Sequence, residues 1–285
     1  MKTKNILFAL VFVTLGLSKS NAQINFGEKA LGAVQKGLAG FTFSDADAAK
    51  LSKAAVDKMD AEHTIATATD PYTIRLNKVF GKYTQGDGFT LNYKVYILKE
   101  VNAFATADGS VRVFSGLMDI MDDNELLAVI GHEIGHVAKH HSRDAMKAAY
   151  KKEALIDAAA SQSQTISTIT DSQLGKLGNL MIDSQHSRKQ EAEADEFSYN
   201  FMKKNGYDVN AVAAAFSILA TMSQGAEASF LDRMMSSHPD SKQRAEDAKQ
   251  RAIADGLYQP YVQKKEVPVA PSTKKPVTKK KKKKK

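Results

Sequence analysis

The sequence predicts an α+β fold, mainly helical, with one small β-sheet. Three observations carry this. Runs with apolar residues at helical spacing lie on both sides of a single β-rich stretch. Strand period is confined to Phe89–Phe114. Directly after it comes Asn124–Ser142, apolar at Leu126, Leu127, Val129, Ile130, Ile134 and Val137, which is too dense for strand alternation and long enough for a buried helix.

Taken in order, Met1–Ala22 reads as a secretory signal peptide. Lys2 and Lys4 precede a twelve-residue apolar run, Ile6–Leu17, and Ser20-Asn21-Ala22 offers small residues for cleavage. The run is too short for an ordinary membrane span, and no other stretch approaches ~20 apolar residues. The expected mature protein is soluble and exported: periplasmic, at the outer-membrane periphery, or secreted. Residues 23–263 form the expected folded domain. Ile24–Phe43 and Ser44–His63 read as two helices, the second capped by Ser44, with Asp45 and Asp47 in its first turn. Asp70-Pro71 starts a third, and Ile74, Leu76, Val79, Phe80 and Tyr83 follow at helical spacing.

Leu91–Leu98 and Val101–Ala105 then read as strands. Ala107-Asp108-Gly109-Ser110 is a hairpin signal before Val111–Phe114. Such a ribbon serves either as the core sheet or as an exposed edge that holds an extended peptide by main-chain hydrogen bonds.

The Asn124–Ser142 helix carries H-E-x-x-H as His132, Glu133 and His136. One helical turn brings both imidazoles to the same face, which suits a tetrahedral zinc ion needing a third protein ligand and a water. Glu133 lies beside them, placed to take a proton from that water. Gly131 and Gly135 flank the histidines despite a helical penalty of ~1 kcal/mol each. Close backbone approach to a neighbouring strand or to the metal is the expected reason.

Arg143–Ala160 reads as continuing helix, and Ser161–Asn179, rich in Ser, Thr, Gln and Gly, as a loop or loose helical pair. In Ser187–Asn200, Glu191 and Asp195 share one helical face. Glu191 can supply the third metal ligand, and Asp195 can accept the outward N–H of a ligating histidine, expected to be His132. Glu193 points about 200° away from Glu191, toward solvent. Val209–Met222 reads as a core helix. Ser236–Asp240 then leads into a charged helix at Lys242–Ala254 that holds Arg244. A histidine before proline at such a junction, His238, can hydrogen-bond an oxyanion, fill the fourth metal position or simply cap the chain. His140 continues the His132/His136 face one turn on, His141 points elsewhere, and these two and His186 receive no role.

The net charge of +8 is misleading. From Lys264 onward eleven lysines oppose one glutamate, so residues 1–263 carry −2. No basic nucleic-acid-binding face is indicated. The Lys-rich segment 264–285 ends in seven lysines and reads as disordered, able to adhere to an anionic membrane surface. With no cysteine, a zinc site must use histidine and carboxylate.

The motifs GHEIGHV, SRKQEAEAD and SSHPDSKQRA, in this order, resemble the zinc endopeptidase family of HtpX and the CAAX prenyl protease, the gluzincins, over roughly residues 70–255. The closest look is to its soluble periplasmic or outer-membrane-associated members. The resemblance implies a gluzincin fold holding one zinc ion per chain through His132, His136 and Glu191. It makes Glu133 the general base and brings His238 and Arg244 into the site. In the family the histidine before proline is linked with transition-state stabilisation or reversible capping of the zinc. The strand carrying Asn102, Ala103 and Phe104 matches the family's substrate-binding edge, bordering the zinc helix. Polypeptides, in particular misfolded or misassembled envelope proteins, are the implied substrates. The rival expectation is a chaperone-like or scaffold protein with an occluded, weakly active metal site. This chain departs from the family in lacking the transmembrane helices of HtpX, the lipid-anchor cysteine of outer-membrane relatives, and any counterpart to its lysine tail.

Overall fold

The computed structural model describes residues 44–86, 89–160, 171–223 and 231–264, with side chains left aside at 86, 89 and 151–160. The expected leader, the first helix at Ile24–Phe43 and the lysine tail lie outside these residues. Among the described residues no helix is long and apolar enough to cross a membrane.

Helix α1 (Asp45–Glu62) opens on a capping box in which Ser44 and Asp47 satisfy each other's backbone N–H groups. His63 closes it and stacks on Tyr96 with ring centroids 4.8 Å apart. Helix α2 (Pro71–Phe80) starts from Asp70, whose side chain accepts from the Tyr72 N–H, with Pro71 at the first helical position. A short ribbon of β1 (Gln85–Gly86) and β2 (Phe89–Thr90) leads to β3 (Asn92–Tyr96), β4 (Ala103–Ala105) and β5 (Ser110–Phe114). The three-stranded sheet runs β3-β5-β4, with β3 parallel and β4 antiparallel to β5. Gly109 adopts φ 84° at the hairpin between β4 and β5, where glycine carries no Cβ penalty. Strand β4 is thereby left at the sheet edge.

After the short α3 (Ser115–Ile120) comes α4 (Asp123–Ala138), which carries H-E-x-x-H. Every residue from Glu125 to Val137 is buried. A reciprocal cap between Asp122 and Glu125 fixes its start. The extended segment after the last helix straps over that cap: Tyr261 Oη donates to both Asp122 carboxylate oxygens at 2.9 and 2.7 Å, and Gln263 Nε2 donates to Glu125 at 2.6 Å.

Helices α5 (His141–Ala160), α6 (Asp171–Ile182), α7 (Arg188–Lys204), α8 (Asn210–Met222), α9 (Asp232–Ser237) and α10 (Ser241–Ala254) follow among the described residues. The stretch Ser161–Asn179, expected as a loop or a loose helical pair, is helical from Asp171. Leu174, Leu177 and Met181 form a buried stripe there, and Gly178 lets Met59 of α1 approach, its sulfur 3.2 Å from where a Cβ would stand. Two apolar clusters result. One joins β3, β5, α2, α4, α7, α8 and α10, and the other joins α1, α5 and α6 to Tyr96, Phe104 and Phe114 of the sheet. Where they meet, Asp60 of α1 accepts from Arg112 of β5 at 2.8 and 2.9 Å, and also from Lys94 and Tyr96.

Candidate metal centre

Helix α4 presents His132 and His136 one turn apart, with their Nε2 atoms 3.0 Å from each other. Helix α7 packs across α4 at the two glycines. A Cβ on Gly135 would lie 3.0 Å from Ala194 Cα, and one on Gly131 would lie 3.3 Å from Ser198 Oγ. The close approach foreseen for these glycines is thus to a helix rather than a strand. It delivers Glu191, whose Oε1 lies 3.3 Å from His136 Nε2 and whose Oε2 lies 3.5 Å from His132 Nε2. His238, at the end of α9, sets Nδ1 3.1 Å from Glu191 Oε1 and 3.3 Å from His132 Nε2. These four buried side chains each offer one ligand atom, all within 4.8 Å of one another, and could hold a metal ion.

Around this group the polar atoms are almost fully partnered. Asp195 Oδ1 lies 2.8 Å from His132 Nδ1. Arg244 of α10 reaches Asp195 at 2.6 Å and Glu191 Oε2 at 2.7 Å, its guanidinium lying over the Phe216 ring at 4.0 Å. Glu133 is the exception: its Oε1 is buried and accepts no hydrogen bond, with His238 Nε2 3.6 Å away. Burial pushes the Glu133 carboxyl up against the pull of His238 and His132. Burial acts the same way on Glu191, but there the nearby His132 and the hydrogen bonds from His136 and His238 prevail, and its carboxyl stays well below the usual range. His136 is held well below the ordinary imidazole value by burial. Anionic Glu191 and neutral His136 are the protonation states that bind metal.

Asn102, just ahead of β4, and Ala103 and Phe104 within it line the cleft over Glu133 and His136. The cleft is narrow, a cavity of about 20 Å³, which is roughly the room one water needs. His238, and His186 stacked on His136 with centroids 3.8 Å apart, close it from the opposite side. Burial lowers His186 to about 3, so it is neutral there.

Two histidines given no role thus reach the site. His186 has no sequence signal beyond lying just ahead of the α7 cap. His141 was misdirected by the assumption that one helix runs through residue 142. The helix instead breaks at Lys139, His140 takes φ 63°, and His141 restarts as α5 with its Nδ1 3.0 Å from His136 Nδ1. His140 leaves the face entirely and lies near Asp45 at the surface. Glu193, expected in solvent, accepts from His141 Nε2 at 2.9 Å while remaining partly exposed.

Such a group of histidines and a carboxylate beside an unpartnered glutamate, with a strand edge alongside, defines a metallopeptidase centre. The model of "Peptidase family M48" matches residues 76–252, and the chain belongs to that family and is a metalloendopeptidase. It is 40% identical over 258 residues to "Metalloprotease LoiP" of Escherichia coli, covering 90% of this chain and 100% of that protein. To "Metalloprotease YcaL" of Escherichia coli it is 38% identical over 257 residues, 89% of this chain and 99% of the relative. A "Putative beta-barrel assembly-enhancing protease" of Vibrio cholerae is 30% identical over 161 residues, 54% of this chain and 33% of the relative.

Proposed function

We propose that the protein is a zinc-dependent endopeptidase exported to the cell envelope, cleaving misfolded or misassembled envelope proteins. The observation that carries it is the convergence of His132, His136 and Glu191 within coordinating reach, beside a glutamate oxygen that nothing else satisfies. The donor set of two imidazoles and a carboxylate fits zinc, and the second carboxylate and Arg244 hold the donors in place. A zinc ion bound there supplies Lewis acidity, polarising the scissile carbonyl and making water acidic near neutrality.

The chain's own residues do the rest. Edge strand β4, through Asn102, Ala103 and Phe104, holds the substrate extended by main-chain hydrogen bonds. Glu133 Oε1 takes the proton of the attacking water and passes it to the leaving amine nitrogen. Arg244 fixes Glu191 and Asp195, while Asp195 accepts from His132 Nδ1 and so leaves Nε2 as its free donor. His238, whose Nδ1 lies 3.1 Å from Glu191, would serve as a fourth donor or, once withdrawn, hydrogen-bond the oxyanion. Export rests on the Met1–Ala22 leader, and the substrate class on the likeness to a beta-barrel assembly-enhancing protease. The lysine tail adds peripheral contact with anionic membrane at up to ~1 kcal/mol per Lys near the lipid.

The test is metal analysis of the mature protein beside casein digestion with and without chelator, repeated on Glu133→Gln. That variant should keep one zinc and lose cleavage by at least ~100-fold. Retained digestion in a clean preparation refutes the role of Glu133. The narrow cleft favours a second reading, a chaperone-like or scaffold envelope protein whose metal site is occluded and weakly active, under which Glu133→Gln complements a deletion as well as the wild type does.

A further inference from the structure

The two α4 histidines are supported differently, and the difference assigns roles to residues outside the motif. His132 has a carboxylate directly behind it, Asp195 at 2.8 Å. His136 has another histidine behind it: its Nδ1 meets His141 Nδ1 at 3.0 Å, and His141 Nε2 meets Glu193 Oε2 at 2.9 Å. When two ring nitrogens face each other, one must carry the hydrogen and the other the lone pair. If His136 binds metal through Nε2, its hydrogen sits on Nδ1 and is donated to His141. The hydrogen of His141 must then sit on its own Nε2, where the Glu193 carboxylate accepts it. One pair of tautomers satisfies every contact, and the anion at the end selects it.

The local fold is shaped around this chain. His141 is buried although it is the first residue of a helix with a polar face, and a buried imidazole requires partners on both nitrogens. It is placed there by the left-handed turn at His140, a conformation uncommon outside glycine. Ser142, next along, donates to the Ala105 carbonyl of β4 at 3.1 Å and pins the turn to the substrate edge. Glu193 alternates with Glu191 and Asp195 on α7, so a single helix backs both α4 histidines. Unlike the other two, it is 37% exposed and has Lys189 Nζ 3.7 Å from its second oxygen.

Resting on the zinc reading above, we infer that His141 and Glu193 are a positioning pair for His136, fixing its tautomer and strengthening its donation to the metal through a histidine relay that ends at the surface. The relay makes His136 the ligand whose hold on zinc depends on a surface carboxylate.

The experiment measures zinc affinity of the purified mature chain by competition with a chromogenic chelator, together with thermal unfolding of the metal-free protein. Glu193→Gln keeps the shape and an acceptor but removes the charge. It should weaken zinc binding by about 3- to 10-fold, and His141→Ala by about 10- to 100-fold. The double variant should be no weaker than His141→Ala alone, because the carboxylate acts only through the ring. Glu196→Gln, the same change at an exposed position of α7, should leave affinity unchanged. Metal-free Glu193→Gln should melt with the wild type, so that a structural defect is separated from a ligand effect. If His141→Ala does not fold, the Glu193→Gln and Glu196→Gln pair decides. Zinc affinity within twofold of wild type for Glu193→Gln, or losses that multiply in the double variant, overturns the relay alone. Wild-type protein that binds no zinc overturns the metal reading, and the relay with it.

Discussion

Replacing each glycine of the metal helix by alanine separates packing from helix propensity. Both sit where α4 crosses α7, and alanine favours the helix over glycine by ~1 kcal/mol at either position. At Gly131 the new methyl meets Ser198 Oγ at 3.3 Å and Phe201 Cδ1 at 3.4 Å, side-chain atoms that can yield by a few tenths of an ångström. Gly131→Ala should therefore lie within about 1 kcal/mol of wild type. At Gly135 the methyl meets Ala194 Cα at 3.0 Å, Ala194 O at 3.1 Å and Phe197 Cβ at 3.1 Å. These atoms are backbone or fixed to it, so α7 itself must retreat. Overpacking of this kind costs about 1–3 kcal/mol, leaving a net loss of about 0–2 kcal/mol after the propensity gain. Ala194 lies one turn from Glu191, so the retreat carries the carboxylate away from both imidazoles. A few tenths of an ångström at a coordination site should weaken zinc binding by about tenfold or more. Thermal unfolding of the metal-free variants, at roughly 2–4 °C per kcal/mol for a domain this size, is read beside chelator competition. Gly135→Ala should show a modest melting shift with a large affinity loss, and Gly131→Ala neither. Should Gly131→Ala prove the more damaging, or Gly135→Ala match wild type in both readouts, the helix-crossing argument is wrong.

Two further outcomes follow from the contacts. His238→Ala removes the fourth donor and one wall of the closed cleft, so hydrolysis of a short unstructured peptide should rise severalfold while one zinc is retained; a fall of ~100-fold would mean that its oxyanion role outweighs the capping. At Asp60 burial would raise the carboxyl, but hydrogen bonds from Arg112, Lys94 and Tyr96 bring it from 3.8 down to about 2. That stabilisation is complete above about pH 4 and is lost as pH falls through 2; discounted for partial solvent exposure it amounts to ~1–2 kcal/mol. Asp60→Asn, which strands the buried Arg112, should cost about 3 kcal/mol at pH 7 and flatten melting temperature against pH between 4 and 2.5. Parallel slopes for mutant and wild type would remove Asp60 as the source.

The sheet and most helices were legible because period, caps and turn residues agree locally. Ser44, Asp70-Pro71 and Asp108-Gly109 each mark a boundary that the structure keeps. Helix α6 stayed undecided between a loop and a loose helical pair, since its glycines and polar residues imitate a loop. Its order comes from Leu174, Leu177 and Met181 packing on α1, a tertiary contact with no local signature. The same limit hid His141. A helical wheel holds only while the helix continues, and nothing local announces that His140 turns left-handed.

The rotation assigned to Glu193 was sound, yet its environment was not, because the reversed chain at α5 brings a partner to the face that looked free. The three acids of α7 therefore divide among different partners instead of competing for one. Glu191 faces the two imidazoles, while Asp195 backs His132 and Glu193 backs His141. This arrangement sets two buried carboxylates, Glu133 and Glu191, and the partly buried Asp195 against the single guanidinium of Arg244. Burial would lower His238, but Glu133 and Glu191 beside it prevail and raise it, so a proton on His238 offsets part of the buried negative charge, whose burial without compensation costs several kcal/mol. A divalent cation held by the same donors would take over that compensation, an argument independent of the motif. By the same accounting Glu133→Gln removes a buried charge that has no hydrogen-bond partner, and this is the physical reason that variant should fold and bind metal while losing the base.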